Sequence, residues 1–282
     1  MFPSDLFFIG GDLPVPRLGF GAMRLCGPGA WDFPADRANP SVVLRRAVEL
    51  GVRLIDTSDA YGPEVSEYTI AETLRPYPEG LVVATKGGFA RPGPGQWQTD
   101  GRPEHLNRAV RNSLRRLRLD QIDLYQLHAV DDDVPLEDSV GQLARAREEG
   151  LIRHIGLSNV TLDELERARA LVPIATVQNR YNLVDRGSDA LVDRCTELGI
   201  GFIPWFPLGA SRLCGEQQGV LAEVAAAHGA STSQVALAWL LARSPVMLPI
   251  PGTSKVAHLE ENVAAARLTL TAHEQQRLNA LV

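Results

Sequence analysis

Asp56, Tyr61, Lys86 and His128 are the residues of this sequence whose types could together move a proton. A carboxylate, a phenol, an amine and an imidazole make up an acid–base set in which the carboxylate serves as counter-ion to the amine. Lys86 closes the apolar run Leu81-Val82-Val83-Ala84-Thr85, where an unpaired cation would be costly to bury, and Asp56 is its available partner. Beside an ammonium, the Tyr61 phenol is expected to have its pKa lowered from about 10, because a neighbouring cation favours the phenolate. A phenol tuned this way can act as acid or base near neutral pH, and His128 adds a polar group able to orient a carbonyl oxygen.

The elements that must position these residues repeat as strand then helix. Arg53-Leu54-Ile55-Asp56 is an aliphatic run that breaks into the turn chemistry of Thr57-Ser58-Asp59-Ala60-Tyr61-Gly62, so Asp56 ends a buried strand and Tyr61 rides the loop above it. Leu81 to Lys86 and Ile122 to His128 are strands that end on the other two residues. Further strands are expected at Gly19 to Met23, Ile152 to Asn159, Thr176 to Asn179, Ile200 to Phe206 and Val246 to Pro251. Helices fill the gaps, opened by Pro40 in a first turn and by the capping patterns Thr161-Leu162-Asp163-Glu164 and Ser231-Thr232-Ser233-Gln234. Leu6 to Ile9 and Val15 to Leu18 flank Gly10-Gly11-Asp12, the pattern of an amino-terminal hairpin. Eight strands alternating with helices point to a single (β/α)8 TIM barrel over residues 1–282, with that hairpin and extra carboxy-terminal helices. An open doubly wound sheet is the alternative, but Gly19-Phe20-Gly21-Ala22-Met23-Arg24 places arginine at the third glycine of a dinucleotide fingerprint. A barrel gathers its strand ends in one mouth, which would bring the four residues together.

Composition narrows the function. The chain has 282 residues, 45% hydrophobic and 22% charged, with a net charge of −6, which gives no electrostatic case for nucleic acid or an anionic membrane. No apolar run approaches the roughly 20 residues of a membrane span, and Leu6-Phe7-Phe8-Ile9 is too short for a signal sequence. Cys26, Cys195 and Cys214 lack metal-ligand spacing and are expected as reduced thiols in a cytoplasmic protein; no metal site is expected.

With these residues in view, the chain resembles the aldo-keto reductases along nearly its full length. The motifs that carry the resemblance are Gly19-Phe20-Gly21, Asp56-Thr57-Ser58 with Tyr61-Gly62, Thr85-Lys86, Asp123-Leu124-Tyr125-Gln126-Leu127-His128, Ile155-Gly156-Leu157-Ser158-Asn159, Gln178-Asn179-Arg180-Tyr181-Asn182, Pro207-Leu208-Gly209 and Ile250-Pro251-Gly252-Thr253-Ser254-Lys255 through Glu261-Asn262. The resemblance implies a barrel that binds NADP(H), with NAD(H) as the alternative, and reduces a small-molecule carbonyl compound. Tyr61 would be the proton donor, Lys86 and Asp56 its tuning pair, and His128 the carbonyl orienter. It also implies cofactor contacts: Gly21 and Met23 near the mouth, Ser158, Asn159 and Gln178 on the nicotinamide carboxamide, and Trp205 against the nicotinamide ring. Phe206, Pro207, Leu208 and Gly209 would border the pyrophosphate. Pro251, Gly252, Thr253, Ser254 and Lys255 would hold the phosphate end, and Glu261 and Asn262 the adenine.

Gly252 and His258 stand where some relatives carry a lysine and an arginine for the adenosine 2′-phosphate, which leaves Lys255 as the main cation there. The stretch from Gly21 to Trp31, continuing to Asp36-Arg37, resembles the branch containing bacterial pyridoxal reductases, so pyridoxal is the expected substrate, seated against Trp31 and Trp97. Two other classes fit parts of the pattern: a cofactor-binding regulatory subunit of the same fold, and a barrel aldolase using Lys86 as a Schiff-base nucleophile.

Overall fold

The computed structural model describes residues 6–209 and 215–281. Cys214 therefore lies outside the described residues. The amino-terminal hairpin pairs β1 (Leu6–Ile9) with β2 (Leu13–Pro16), Leu6 opposite Pro16 and Ile9 opposite Leu13. Gly10 and Gly11 make its turn with φ of 63° and 88°, a left-handed conformation that glycine adopts without a Cβ penalty.

The barrel strands follow in sequence order, all parallel: β3 (Phe20–Gly21), β4 (Leu54–Asp56), β5 (Val82–Gly87), β8 (Ile122–Leu127), β9 (Ile152–Ser158), β10 (Ile174–Gln178) and β11 (Gly201–Phe202). An antiparallel hairpin, β6 (Phe89–Ala90) with β7 (Gln98–Thr99), interrupts the order in the loop after β5. The expected eighth strand, 246–251, closes the ring by single contacts: Phe202 bridges Met247, and Gly19 N–H donates to Pro249 O at 2.9 Å. Pro249 and Pro251 have no N–H to give a ladder, so the segment closes the barrel without forming a regular strand. Pro204 shortens β11 in the same way, and the first strand turns into a 3-10 helix at Ala22–Leu25.

Ile9 and Val15 of the hairpin share one buried cluster with Leu54, Val82, Leu124, Ile203 and Leu248 from inside the barrel, so the hairpin stops its amino-terminal end. The helices α1 (Asn39–Glu49), α2 (Val65–Leu74), α3 (Pro103–Leu117), α4 (Leu136–Glu148), α5 (Leu162–Arg169), α6 (Asp189–Leu198), α7 (Gly215–Ala227), α8 (Thr232–Arg243), α9 (Val256–Ala264) and α10 (Ala272–Asn279) surround it. Reciprocal capping boxes start α5, α8 and α10, with Thr161, Ser231 and Thr271 each accepting the backbone N–H three residues on. Their apolar faces pack on the outside of the strands in two further clusters. The architecture is a (β/α)8 barrel with an amino-terminal hairpin, open for chemistry at the carboxyl ends of its strands.

Candidate active site

Asp56 ends β4 and lies in register with Gly21 of β3 and Ala84 of β5, while Lys86, two residues further along β5, pairs with Gln126 of β8. These registers bring an acid, a base and an amide to one level inside the barrel. Lys86 Nζ donates to Asp56 Oδ2 at 2.6 Å and to Thr57 O at 2.8 Å. The other carboxylate oxygen, Oδ1, accepts from Gln178 Nε2 at 2.8 Å and Gln126 Nε2 at 3.0 Å. Both oxygens of the buried carboxylate are thus hydrogen-bonded, one to the ammonium and the other to two amides, which is what keeping a charge pair in a barrel core requires. Burial by itself would push the Lys86 amine down; Asp56 and Tyr61 outweigh it and hold the ammonium above its ordinary value. An amine so protonated and wholly buried is unsuited to Schiff-base formation, which disfavours the aldolase alternative.

Tyr61 sits on the loop after β4, with Lys86 Nζ 5.2 Å from its ring centroid and the His128 ring edge-on at 5.8 Å. The chain can turn there because Gly62 has φ of 106°, and a Cβ at that position would meet Val65 Cβ at 2.3 Å. Contrary to expectation, the Tyr61 phenol is raised above its ordinary pKa. Desolvation is the largest cause; the Lys86 ammonium pulls the other way, but it shares its charge with Asp56, whose own charge also disfavours the phenolate. Tyr61 is therefore a neutral phenol with a proton to give. His128 is held well below its ordinary value by burial, then by Lys86 and Arg91, and is a neutral imidazole. Its Nδ1 is 3.0 Å from Ser58 Oγ.

Asn159 follows β9 with φ of 57°, a left-handed conformation that asparagine tolerates. Its Nδ2 donates to His128 O at 3.0 Å, and its Oδ1 accepts from Trp205 Nε1 at 2.9 Å, so one amide ties the histidine's backbone to the indole. Around these residues is a cleft of about 490 Å³, lined by Asp56, Tyr61, His128, Trp97, Trp205 and Gln178, together with Gly21, Met23, Ser158, Asn159, Phe206, Pro207, Leu208, Pro251 and Gly252. A second cleft, of about 300 Å³, is lined by Thr253, Ser254, Lys255, His258, Glu261 and Asn262. Arg24, Leu208 and Gly252 line both, so the two form one groove running from the tetrad to Lys255. A groove that is aromatic and amide-lined at one end and cationic at the other fits a dinucleotide in its donor set. Gly252 is needed at the seam, since a Cβ there would lie 2.6 Å from Gly21 O. No cluster of His, Cys, Asp and Glu able to hold a metal occurs among the described residues.

Trp97 lines the cleft and meets Tyr61 edge-on at 6.4 Å. Trp31 is not among the lining residues; it lies behind, 5.5 Å from the Arg91 guanidinium, which stacks on Trp97 at 3.6 Å. Arg91 also donates to Ala60 O at 2.8 Å and to Gln96 O at 2.9 Å, stitching the β6–β7 hairpin to the Tyr61 loop. Gln126 and Ser58 fall inside the motifs quoted from the sequence but were given no role there, and Arg91 and Phe89, whose ring meets His128 edge-on at 4.7 Å, were not singled out at all. Gln126 left a signal there, a polar residue inside an apolar strand; Phe89 and Arg91 left none, lying in a loop of Gly and Pro. A separate depression of about 310 Å³ between Arg169–Pro173 and Leu198–Ile200 lies at the opposite ends of the strands, away from this chemistry.

The sequence profile of the aldo/keto reductase family matches residues 17–282. The chain belongs to the aldo/keto reductase family. That family uses NADP(H). The chain is 49% identical over 269 residues to an uncharacterized oxidoreductase of Schizosaccharomyces pombe, covering 95% of this chain and 87% of that one. It is 45% identical over 274 residues to pyridoxine 4-dehydrogenase of Escherichia coli, covering 95% of each. An aldo/keto reductase from Klebsiella pneumoniae, crystallised with NADP and acetate, superposes with a TM-score of 0.83 at 28% identity, covering 98% of this chain and 95% of that one.

Proposed function

We propose that this aldo/keto reductase reduces aldehydes or ketones with NADPH, and that pyridoxal, reduced to pyridoxine, is its preferred substrate. The observation that carries the reading is a neutral, buried Tyr61 phenol and a neutral His128 that line one cleft with Asp56, while the Lys86 ammonium paired to Asp56 is buried behind them. When bound, the reduced nicotinamide supplies the hydride. Tyr61 gives its proton to the carbonyl oxygen, and the phenolate left behind faces the Lys86 ammonium that Asp56 holds in place. The N–H of neutral His128 donates to the same oxygen, so the developing charge meets donors already in position. Ser158, Asn159 and Gln178 would hold the carboxamide, Trp205 the nicotinamide face, Gly21, Met23 and Phe206 to Gly209 the pyrophosphate side, and Pro251 to Lys255 the phosphate. Glu261 and Asn262 would hold the adenine.

Pyridoxal is favoured because Trp97 presents a ring beside Tyr61 and because a relative at 45% identity is a pyridoxine 4-dehydrogenase. A planar pyridine on that indole gains about 0.5–1.5 kcal/mol beyond area burial, which a short aliphatic aldehyde does not. Cys26 and Cys195 are free and buried, each thiol pushed up to about 12 by burial, which suits the reducing cytoplasm we assign. The test is steady-state kcat/KM for pyridoxal and a short aliphatic aldehyde, each with NADPH and NADH. Turnover of both, with pyridoxal ahead, supports the reading; no turnover of any carbonyl compound would leave the regulatory-subunit alternative.

A further inference from the structure

Ser58 is buried behind the tetrad, and its hydroxyl meets more partners than one proton can serve. Its Oγ accepts from Ala60 N–H at 3.0 Å and lies 3.0 Å from His128 Nδ1, 3.2 Å from Asp59 Oδ1 and 3.4 Å from Lys86 O. A hydroxyl has one proton and two lone pairs, and a neutral imidazole has one N–H. Two complete arrangements follow. With Asp59 protonated, the carboxyl donates to Ser58 Oγ, Ser58 donates to His128 Nδ1, and the ring proton sits on Nε2. With Asp59 ionised, Ser58 donates to the carboxylate, His128 Nδ1–H donates to Ser58, and Nε2 carries only a lone pair.

We infer that Ser58 and Asp59 are positioning residues that select which nitrogen of His128 carries the proton. The inference rests on the reductase reading, in which an N–H from His128 must reach the carbonyl oxygen. Only the arrangement with protonated Asp59 supplies it at Nε2. Passing to the other arrangement releases one proton from Asp59 to solvent, while the imidazole exchanges its Nε2 proton for one at Nδ1 and stays neutral.

The surroundings of Asp59 let it reach both states. Asp59 is a half-buried residue that lines a side cleft of about 180 Å³, yet enough protein surrounds its carboxyl that desolvation dominates. Burial, joined by the charge of Glu67, pushes the carboxyl up to about 8, against the pull of Arg116 and the hydrogen bonds from Ser58 and Ala60. The other groups facing it are Glu64 beside α2, Arg91 from the β6–β7 hairpin, His105 and Arg108 from α3, and Tyr125 from β8. Those facing His128 are Lys86, Arg91 and Tyr61. Near neutral pH Asp59 is mostly protonated, and the productive tautomer prevails.

The experiment is a two-bond proton–nitrogen correlation spectrum of the ¹⁵N-labelled full chain, followed from below to above pH 8, with the His128 signals identified by their loss in His128→Gln. Wild type should move from Nε2–H to Nδ1–H with a midpoint near 8. Asp59→Asn, whose amide can still donate to Ser58, should keep Nε2–H throughout, and Ser58→Ala should show no pH-driven exchange. In turnover, the wild-type kcat for reduction should carry an alkaline fall that Asp59→Asn lacks, approaching tenfold per pH unit. A His128 tautomer that ignores pH in wild type, or that moves in Asp59→Asn as in wild type, would overturn the inference. If a variant fails to fold, the wild-type titration alone decides. The spectra need no substrate, so the tautomer result stands or falls separately from whether the chain reduces any carbonyl compound.

Discussion

Replacing Lys86 by methionine should separate what the buried ion pair does for folding from what it does for chemistry. The pair lies at 2.6 Å with both side chains excluded from solvent, so its gross attraction is about 6 kcal/mol at an effective dielectric near 20. Most of that offsets the cost of burying the charges. What Lys86→Met exposes is the penalty of leaving Asp56 Oδ2 charged and unpaired, with only Gln126 and Gln178 still on Oδ1, about 3–5 kcal/mol. That is two to four decades in the folding constant. Asp56→Asn/Lys86→Met leaves no unpaired charge, so its loss of stability should fall at least about 2 kcal/mol short of the sum of the single losses. Carbonyl reduction should stay severely impaired in both, because Tyr61 no longer faces an ammonium as its phenolate forms. The assay is urea unfolding of wild type, both single variants and the double variant, alongside kcat for an aldehyde with NADPH. Additive stability losses, or recovery of turnover in the double variant, would show that the pair does not hold these two separate roles.

Trp97→Ala should lower kcat/KM for pyridoxal while changing a short aliphatic aldehyde little, and Trp31→Ala should act more weakly, since Trp31 stands behind Arg91 rather than on the cleft; steady-state kinetics on both variants checks this. Lys255 lines the cationic end of the groove, where we propose that the 2′-phosphate binds. Lys255→Ala should therefore weaken NADPH binding roughly ten- to hundredfold and NADH binding less, read by fluorescence titration, since a charge-assisted contact to that phosphate would contribute about 1.5–3 kcal/mol. Burial depresses His128 and His105, so between their folded values and about 6.5 the unfolded chain binds protons that the folded chain does not. Stability should therefore fall as pH drops through and below about 6.5, with a shallower slope in His128→Gln, measured by unfolding at a series of pH values.

The positions of the tetrad were legible because each strand end announces itself chemically. Ile55-Asp56 changes from aliphatic to turn residues, and Lys86 and His128 close apolar runs, so topology alone carries them to one mouth. The direction of the Tyr61 shift was not legible, because it depends on how much water the fold removes, and sequence spacing shows only the neighbouring cation. The β6–β7 hairpin escaped notice because two-residue strands leave no periodicity among glycines and prolines; with it went Arg91 and the distinction between Trp97 and Trp31. The last barrel strand was legible as an apolar run, but its prolines reduce it to isolated contacts. Ser58 read as an ordinary turn serine, and only the distances around its hydroxyl give it a role.

In the proposed function Tyr61 gives the proton in NADPH-dependent carbonyl reduction. Tyr61→Phe keeps the ring against His128 and Trp97 and removes only the hydroxyl. The deciding measurement pairs NADPH affinity with kcat for pyridoxal in wild type and Tyr61→Phe. NADPH binding should be unchanged and kcat lower by about 10²–10⁴-fold; wild-type turnover in Tyr61→Phe would rule out Tyr61 as the proton donor.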